Sequence, residues 1–183
     1  KNKQKLSKKN KFVYEAHSTD YQSKSILKKL VNNNFKFLKV GPELTYNYCR
    51  SLFLMEKIER SYQFPISSNF EKKIMNTMQK NKKYWKNYYS GNKRKLNNLL
   101  LNSKLDRMRY YLNVQNITKS IDLLRKNINK TEQSEIIKYL KKRKIIFNNK
   151  LINKANFKNF DLINFIFLEK TFQKYYSASG YKN

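Results

Sequence analysis

Glycine occurs three times and proline twice in the 183 residues, so little in the sequence forces sharp turns and long helices can run uninterrupted. Cys49 is the only cysteine, which excludes an internal disulfide and a cysteine-built zinc site within this sequence and fits a reducing cytoplasm. His17 is the only histidine. No run approaches the roughly 18 apolar residues needed to cross a bilayer, and the basic start leads into no apolar signal stretch. Acidic residues are the most telling shortage: 12 Asp and Glu face 41 Lys and Arg, a formal charge of +29.

What is present suits a folded domain. Hydrophobic residues make up 39% and aromatics 15%, too many for a disordered tail. The charge admits two readings: a polyanionic partner such as RNA, or a lysine- and asparagine-rich composition that places Lys on solvated helix faces at little cost in propensity. Lys82-Lys83, Lys93-Arg94-Lys95 and Lys141-Lys142-Arg143-Lys144 are short and separated in sequence. The compositional reading is therefore preferred, and nucleic acid is not the expected partner.

Residues 1–11 form a basic, polar lead-in. A strand is expected over Phe12–Ala16, then a turn at His17-Ser18-Thr19-Asp20, then a helix marked by Ile26, Leu27, Leu30 and Val31. A second strand, Phe35–Val40, ends at Gly41-Pro42, and Pro42 suits the first turn of a helix with Leu44, Tyr48, Leu52 and Met55 on its apolar face. Strand, helix, strand, helix points to parallel βα units. Ser68-Asn69-Phe70-Glu71 reads as a capping box before a helix with Phe70, Ile74 and Met78. An aromatic patch follows at Tyr84, Trp85, Tyr88 and Tyr89, expected to pack a helix rather than to stack bases. Residues 92–104 read as a loop, Asp106–Leu112 as a third strand, and three helices follow, the last over Leu162–Phe172. The division expected is 12–112 for βα units and 113–183 for a helical C-terminal region.

Alternation along strands puts Val13, Glu15 and His17 on one face. Phe37 and Lys39 share a face opposite Leu38 and Val40. Arg107, Arg109 and Tyr111 share another, opposite Met108, Tyr110 and Leu112. In an α/β barrel such charge collects inside, towards the strands' C-terminal ends, where barrel enzymes keep their sites. A complete barrel takes about 250 residues, so about three strands make an incomplete one.

Tyr14-Glu15-Ala16-His17-Ser18-Thr19-Asp20-Tyr21-Gln22, followed by Phe37-Leu38-Lys39-Val40-Gly41-Pro42-x-Leu44-Thr45, resembles the signature of the GatZ/KbaZ family. Tyr84-Trp85-x-x-x-Tyr89-x-Gly91 and Asp106-Arg107-x-Arg109-Tyr110-Tyr111 resemble two further family blocks, so the likeness runs from about residue 12 to about 175. It implies the C-terminal part of a TIM-type (β/α)8 barrel with a helical tail, the N-terminal half lying outside this sequence, which starts at Lys1 rather than Met. It also implies a non-catalytic, stabilising subunit of class II D-tagatose-1,6-bisphosphate aldolase in carbohydrate catabolism. The partner would then be the catalytic aldolase subunit, which carries the zinc, with no cofactor in this chain. Relatives reported as 4-epimerases imply an alternative, interconversion of fructose 6-phosphate and tagatose 6-phosphate. A basic RNA-binding protein is the third reading. The older kinase naming of the family is set aside, because no Gly-rich phosphate loop occurs. Tyr88 stands where the family has a histidine, and Leu99–Leu105 replaces a polar lead-in to Asp106.

Glu15 and His17 are the candidate catalytic residues, with His17 a weak candidate for a metal ligand or else a structural histidine. Lys39, Arg107 and Arg109 are the candidate phosphate contacts: arginine offers a planar fork to phosphate oxygens and lysine a point charge. The alternative is an ion network with Glu15 and Asp106 that neutralises buried charge. Asp20 is expected to cap the helix that follows it.

Overall fold

The structure, a computed structural model, describes residues 12–148 and 156–180. The expected lead-in over 1–11 lies outside the described residues, as do 149–155 and 181–183 of the expected helical region. The chain divides into two compact units: Lys1–Leu44 with Leu168–Asn183, and Thr45–Phe167.

The first unit holds the sheet. Strands β1 (Tyr14–Ala16) and β2 (Phe35–Leu38) pair in parallel, with Tyr14 opposite Phe35, Glu15 opposite Phe37 and Ala16 opposite Leu38. Both are shorter than the sequence suggests: β1 starts two residues later than expected and β2 ends two residues earlier. Helix α1 (Lys24–Asn32) connects them. Ser23 starts it by accepting the Ile26 N–H at 3.3 Å, and Leu27 is its buried residue. Asn34, at φ 66°, turns the chain into β2; asparagine tolerates this left-handed geometry better than most residues. Parallel sheets are normally covered on both faces, yet Val13 and Phe37 are exposed.

The second unit is helical. Helix α2 (Pro42–Ser61) begins in the first unit and continues into the second, and α3 (Phe70–Lys80), α4 (Lys93–Asn102), α5 (Gln115–Ile128) and α6 (Gln133–Lys142) follow. The last helix, α7 (Asn159–Ala178), begins in the second unit and ends in the first. Helical spacing makes the core: Leu52, Met55 and Ile58 of α2, Phe70, Ile74 and Met78 of α3, and Ile117, Leu124 and Ile128 of α5 are all fully buried. Each such side chain contributes about 1.5–3 kcal/mol from burial.

Three sequence expectations need correction here. Residues 93–102 form a helix instead of a loop: Leu96, Leu99 and Leu100 lie on its packed side, and Asn92 caps it by accepting the Lys95 N–H at 2.9 Å. Asp106–Leu112 is not a strand; Arg107–Tyr111 forms a 3₁₀ helix. Met108 and Tyr111, three apart, are both buried, which matches a three-residue repeat and overrides the apparent alternation. The capping box at Ser68–Glu71 does not form either. Asn69 sits at φ 50° without a side-chain cap, and two buried carboxylates of α2 do the work. Glu56 Oε2 accepts the Glu71 N–H at 2.9 Å, while Glu59 accepts the Ser68 N–H at 3.1 Å and the Ser68 hydroxyl at 2.6 Å. Asn127 donates to the same Glu59 at 2.6 Å, so this buried charge is well provided with donors.

Candidate functional site

The C-terminal ends of β1 and β2 bring together three of the expected site residues. Lys39 Nζ lies 2.5 Å from Glu15 Oε1, and His17 Nε2 lies 3.2 Å from the same oxygen. All three side chains are solvent-accessible. The hydrogen bond from Lys39 holds the Glu15 carboxyl below the usual carboxylate range. The cluster is an acid flanked by a cation and an imidazole, on the exposed sheet face that alternation assigns to them.

Beneath this cluster, the loops after the two strands are locked by polar contacts. The Thr19 N–H and hydroxyl both donate to Lys39 O, at 3.1 and 2.8 Å. Tyr175 of α7 donates to Thr19 O at 2.8 Å, and burial raises the pKa of its phenol. Asp20 Oδ1 accepts the Gly41 and Glu43 N–H groups at 3.0 and 2.8 Å. Asp20 therefore caps α2, on the far side of β2, rather than the adjacent α1, which Ser23 already caps. Glu43 in turn accepts the Tyr21 N–H at 2.6 Å and pairs with Lys174 at 2.6 Å. Two of these loop residues, Ser18 at φ 55° and Tyr21 at φ 60°, occupy the left-handed region, a cost of about 1 kcal/mol or more each that the surrounding bonds must offset.

Nothing in the sequence pointed to Lys174, Tyr175 or the role of Thr19. Their partners are 131 and 156 positions away, beyond any local pattern. Asp20 was the member read from the sequence, as a helix cap, although it caps α2 rather than the helix that follows it.

Arg107 and Arg109 belong to the helical unit, and the strand face expected to carry them does not exist. Tyr111, placed on that face with them, is fully buried and donates to Asn81 O at 2.6 Å. Arg109 donates to the carbonyls of Leu105 and Asp106, at 3.0 and 2.9 Å. Arg107 lies flat against Tyr88, its Cζ 3.3 Å from the ring centroid. Asp106 is buried and accepts from the Thr45 hydroxyl; burial raises its pKa, with the Thr45 bond opposing the rise. In the aromatic patch Trp85 and Tyr89 are buried, and Trp85 Nε1 donates to Met78 O at 2.7 Å. The same patch leaves Tyr88 exposed.

Among the described residues no three His, Cys, Asp or Glu side chains gather, and the carboxylate next to His17 is already neutralised by Lys39. No helix among the described residues is long and apolar enough to cross a membrane.

Comparison with known proteins agrees with this architecture. Residues 1–179 match the family described as D-tagatose-1,6-bisphosphate aldolase subunit GatZ/KbaZ-like. The D-tagatose-1,6-bisphosphate aldolase subunit GatZ of Escherichia coli O6:K15:H31 (strain 536 / UPEC) is 37% identical over 124 residues, covering 66% of this chain and 29% of that protein. The GatZ subunit of Escherichia coli strain SMS-3-5 / SECEC is 36% identical over the same shares. A crystal structure titled as a probable tagatose 6 phosphate kinase from Sinorhizobium meliloti 1021 superposes with a TM-score of 0.79 at 24% identity, covering 96% of this chain and 45% of that one. The match thus spans less than a third of the curated relatives and under half of the solved chain, and the solved structure speaks for the fold alone. With its parallel strand pair and helical remainder, this chain belongs to the GatZ/KbaZ-like family of D-tagatose-1,6-bisphosphate aldolase subunits.

Proposed function

We propose that this chain serves as part of a non-catalytic, stabilising subunit of a class II D-tagatose-1,6-bisphosphate aldolase in cytoplasmic carbohydrate catabolism. The observation that carries the reading is the use made of Thr19-Asp20-Tyr21 and Gly41-Pro42-Glu43, within the blocks that resemble the family. Their polar groups bind one another and α7, which supports a scaffold role. In this reading the catalytic partner subunit carries the zinc. β1 and β2 are two of the last strands of a TIM-type barrel, and the exposed face at Val13 and Phe37 is covered by the N-terminal half of that barrel.

Lys39 carries the phosphate assignment forward, as a solvent-accessible ammonium at the C-terminal end of a parallel strand. Arg107 and Arg109 carry it less well, since ring stacking and local carbonyls already hold their guanidinium groups. A second reading, 4-epimerisation of a ketohexose phosphate, is favoured by one observation. Glu15 and His17 are a possible base and acid within 3.2 Å of each other beside a cation.

The test is coexpression of the full chain with a catalytic class II aldolase subunit. Copurification and a longer-lived aldolase activity are expected. Failure to copurify, with aldolase lifetime unchanged, would overturn the subunit reading. Turnover of fructose 6-phosphate by the purified chain without any partner would move the assignment to the epimerase.

A further inference from the structure

Residues that lie apart in sequence gather on one surface of the helical unit. The chain carries no acid between Glu71 and Asp106, while lysine and arginine recur throughout that stretch; Asp106 itself is buried. The turn after α3 holds Lys82, Lys83 and Lys86. It contacts the 3₁₀ helix through Tyr111, whose hydroxyl donates to Asn81 O, and it meets α4 where the Lys95 side chain lies over Gly91.

Tyrosines and cations alternate across this surface. Lys83 lies 5.3 Å from the Tyr84 ring centroid, Tyr84 stacks on Tyr110 at 5.2 Å, Arg109 lies 4.4 Å from Tyr110, and Arg107 covers Tyr88 at 3.3 Å. Tyr88 and Tyr110 remain 55% and 42% exposed beside these charges. Arg107 Nε is buried without an acceptor. The first turn of α4 is Lys93-Arg94-Lys95 with no acid, cations set at the positive end of a helix, where an anion is the favoured neighbour.

Lysine-rich composition accounts for charge spread over helix faces. It does not account for exposed tyrosines braced by arginine beside the acid-free stretch. Flat ring faces beside cations are what single-stranded nucleic acid uses, bases stacking on aromatics while the backbone follows the charges. We propose that the surface formed by Tyr88, Tyr110, Arg107 and Lys93-Arg94-Lys95 binds single-stranded RNA with little sequence preference. This goes beyond the subunit reading and does not depend on it.

The test is fluorescence anisotropy with the full chain and a labelled, unstructured 12-nucleotide RNA, against a duplex RNA of equal length. Titrations run at several salt concentrations. Tighter binding of the single strand is expected, weakening steeply with salt. Tyr88→Ala, at an exposed position, should weaken it about tenfold with the helical circular dichroism unchanged. Arg107→Gln should also weaken it. A control that removes three charges elsewhere, Lys138→Gln with Lys141→Gln and Lys142→Gln, should change it less than Tyr88→Ala does. The proposal fails if single strand and duplex bind alike, if the control matches Tyr88→Ala, or if no binding appears at moderate salt. Binding to phosphatidylserine vesicles that Tyr88→Ala abolishes, without RNA binding, would also overturn it in favour of a lipid surface.

Discussion

The two units hold themselves together by different means. The helical unit rests on a continuous apolar core running from Cys49 to Ile166. The sheet unit has few fully buried apolar side chains, Leu27 foremost, and relies on the Thr19, Asp20 and Glu43 bonds to close its loops. Apolar packing tolerates changes of shape and is lost in proportion to volume removed. A polar lock depends on its partners, and removing one leaves the other buried without its bond. The same chain therefore contains one unit that should fail gradually and another that should fail at single atoms.

The single tryptophan, Trp85, is buried in the helical unit, so its fluorescence reports that unit alone while circular dichroism reports both. Leu124→Ala removes a fully buried core side chain and should lower stability by about 2–5 kcal/mol, seen as an earlier Trp85 transition in urea. Lys174→Met leaves Glu43 buried without its ammonium. Complete burial of such a pair would make this worth about 3–5 kcal/mol, but these side chains keep 18% and 11% of their surface, so about 2 kcal/mol is expected. Hydrogen exchange should quicken at Tyr21 and in the first turn of α2, with the Trp85 transition moving less than in Leu124→Ala. If the two variants shift Trp85 equally, the contrast between the units is wrong.

Smaller effects sharpen the comparison. Asp20→Ala should cost about 1 kcal/mol, the usual worth of a helix cap, detected as faster exchange at the Gly41 and Glu43 amides. Asp106 gives the helical unit a pH signature. Its pKa is raised by burial, so the folded state binds more protons than the unfolded one from the ordinary Asp value upward. Stability contributed by the protonated form is then lost as pH rises through the raised value. Asp106→Asn should flatten that decline in pH-dependent urea midpoints. For Glu15 the sign is opposite: its depressed pKa favours the folded state above the unfolded value and loses this favour as pH falls. Lys39→Ala should move the Glu15 titration upward by NMR, with little change in unfolding.

Local patterns were legible where burial follows a period. The faces of α3 and α5, the Pro42 start of α2 and the two parallel strands could be read from spacing. The third strand could not, because Arg107-Met108-Arg109-Tyr110-Tyr111 fits a two-residue alternation while the burial of Met108 and Tyr111 follows a three-residue one. Helix α4 was hidden by its asparagines, whose helix propensity is modest, although Leu96, Leu99 and Leu100 carried the period. At the strand ends, alternation grouped Glu15 with His17, and the structure brings Lys39 to them. The lock beneath them was invisible, since Lys174 and Tyr175 reach it from the far end of the sequence. Arg107 and Arg109 were misplaced together with the strand on which their face depended.

The division of the chain sets an order of assembly during synthesis. Thr45–Phe167 is continuous, so everything the helical unit needs has been synthesised before Lys174 is added. The strand pair emerges earlier but lacks Tyr175 and the Lys174 ammonium until α7 is complete. Domains usually mature from the N-terminus onward. Here the strand pair is made before the helix that secures it, and until then its loops are left to whatever shields nascent chains.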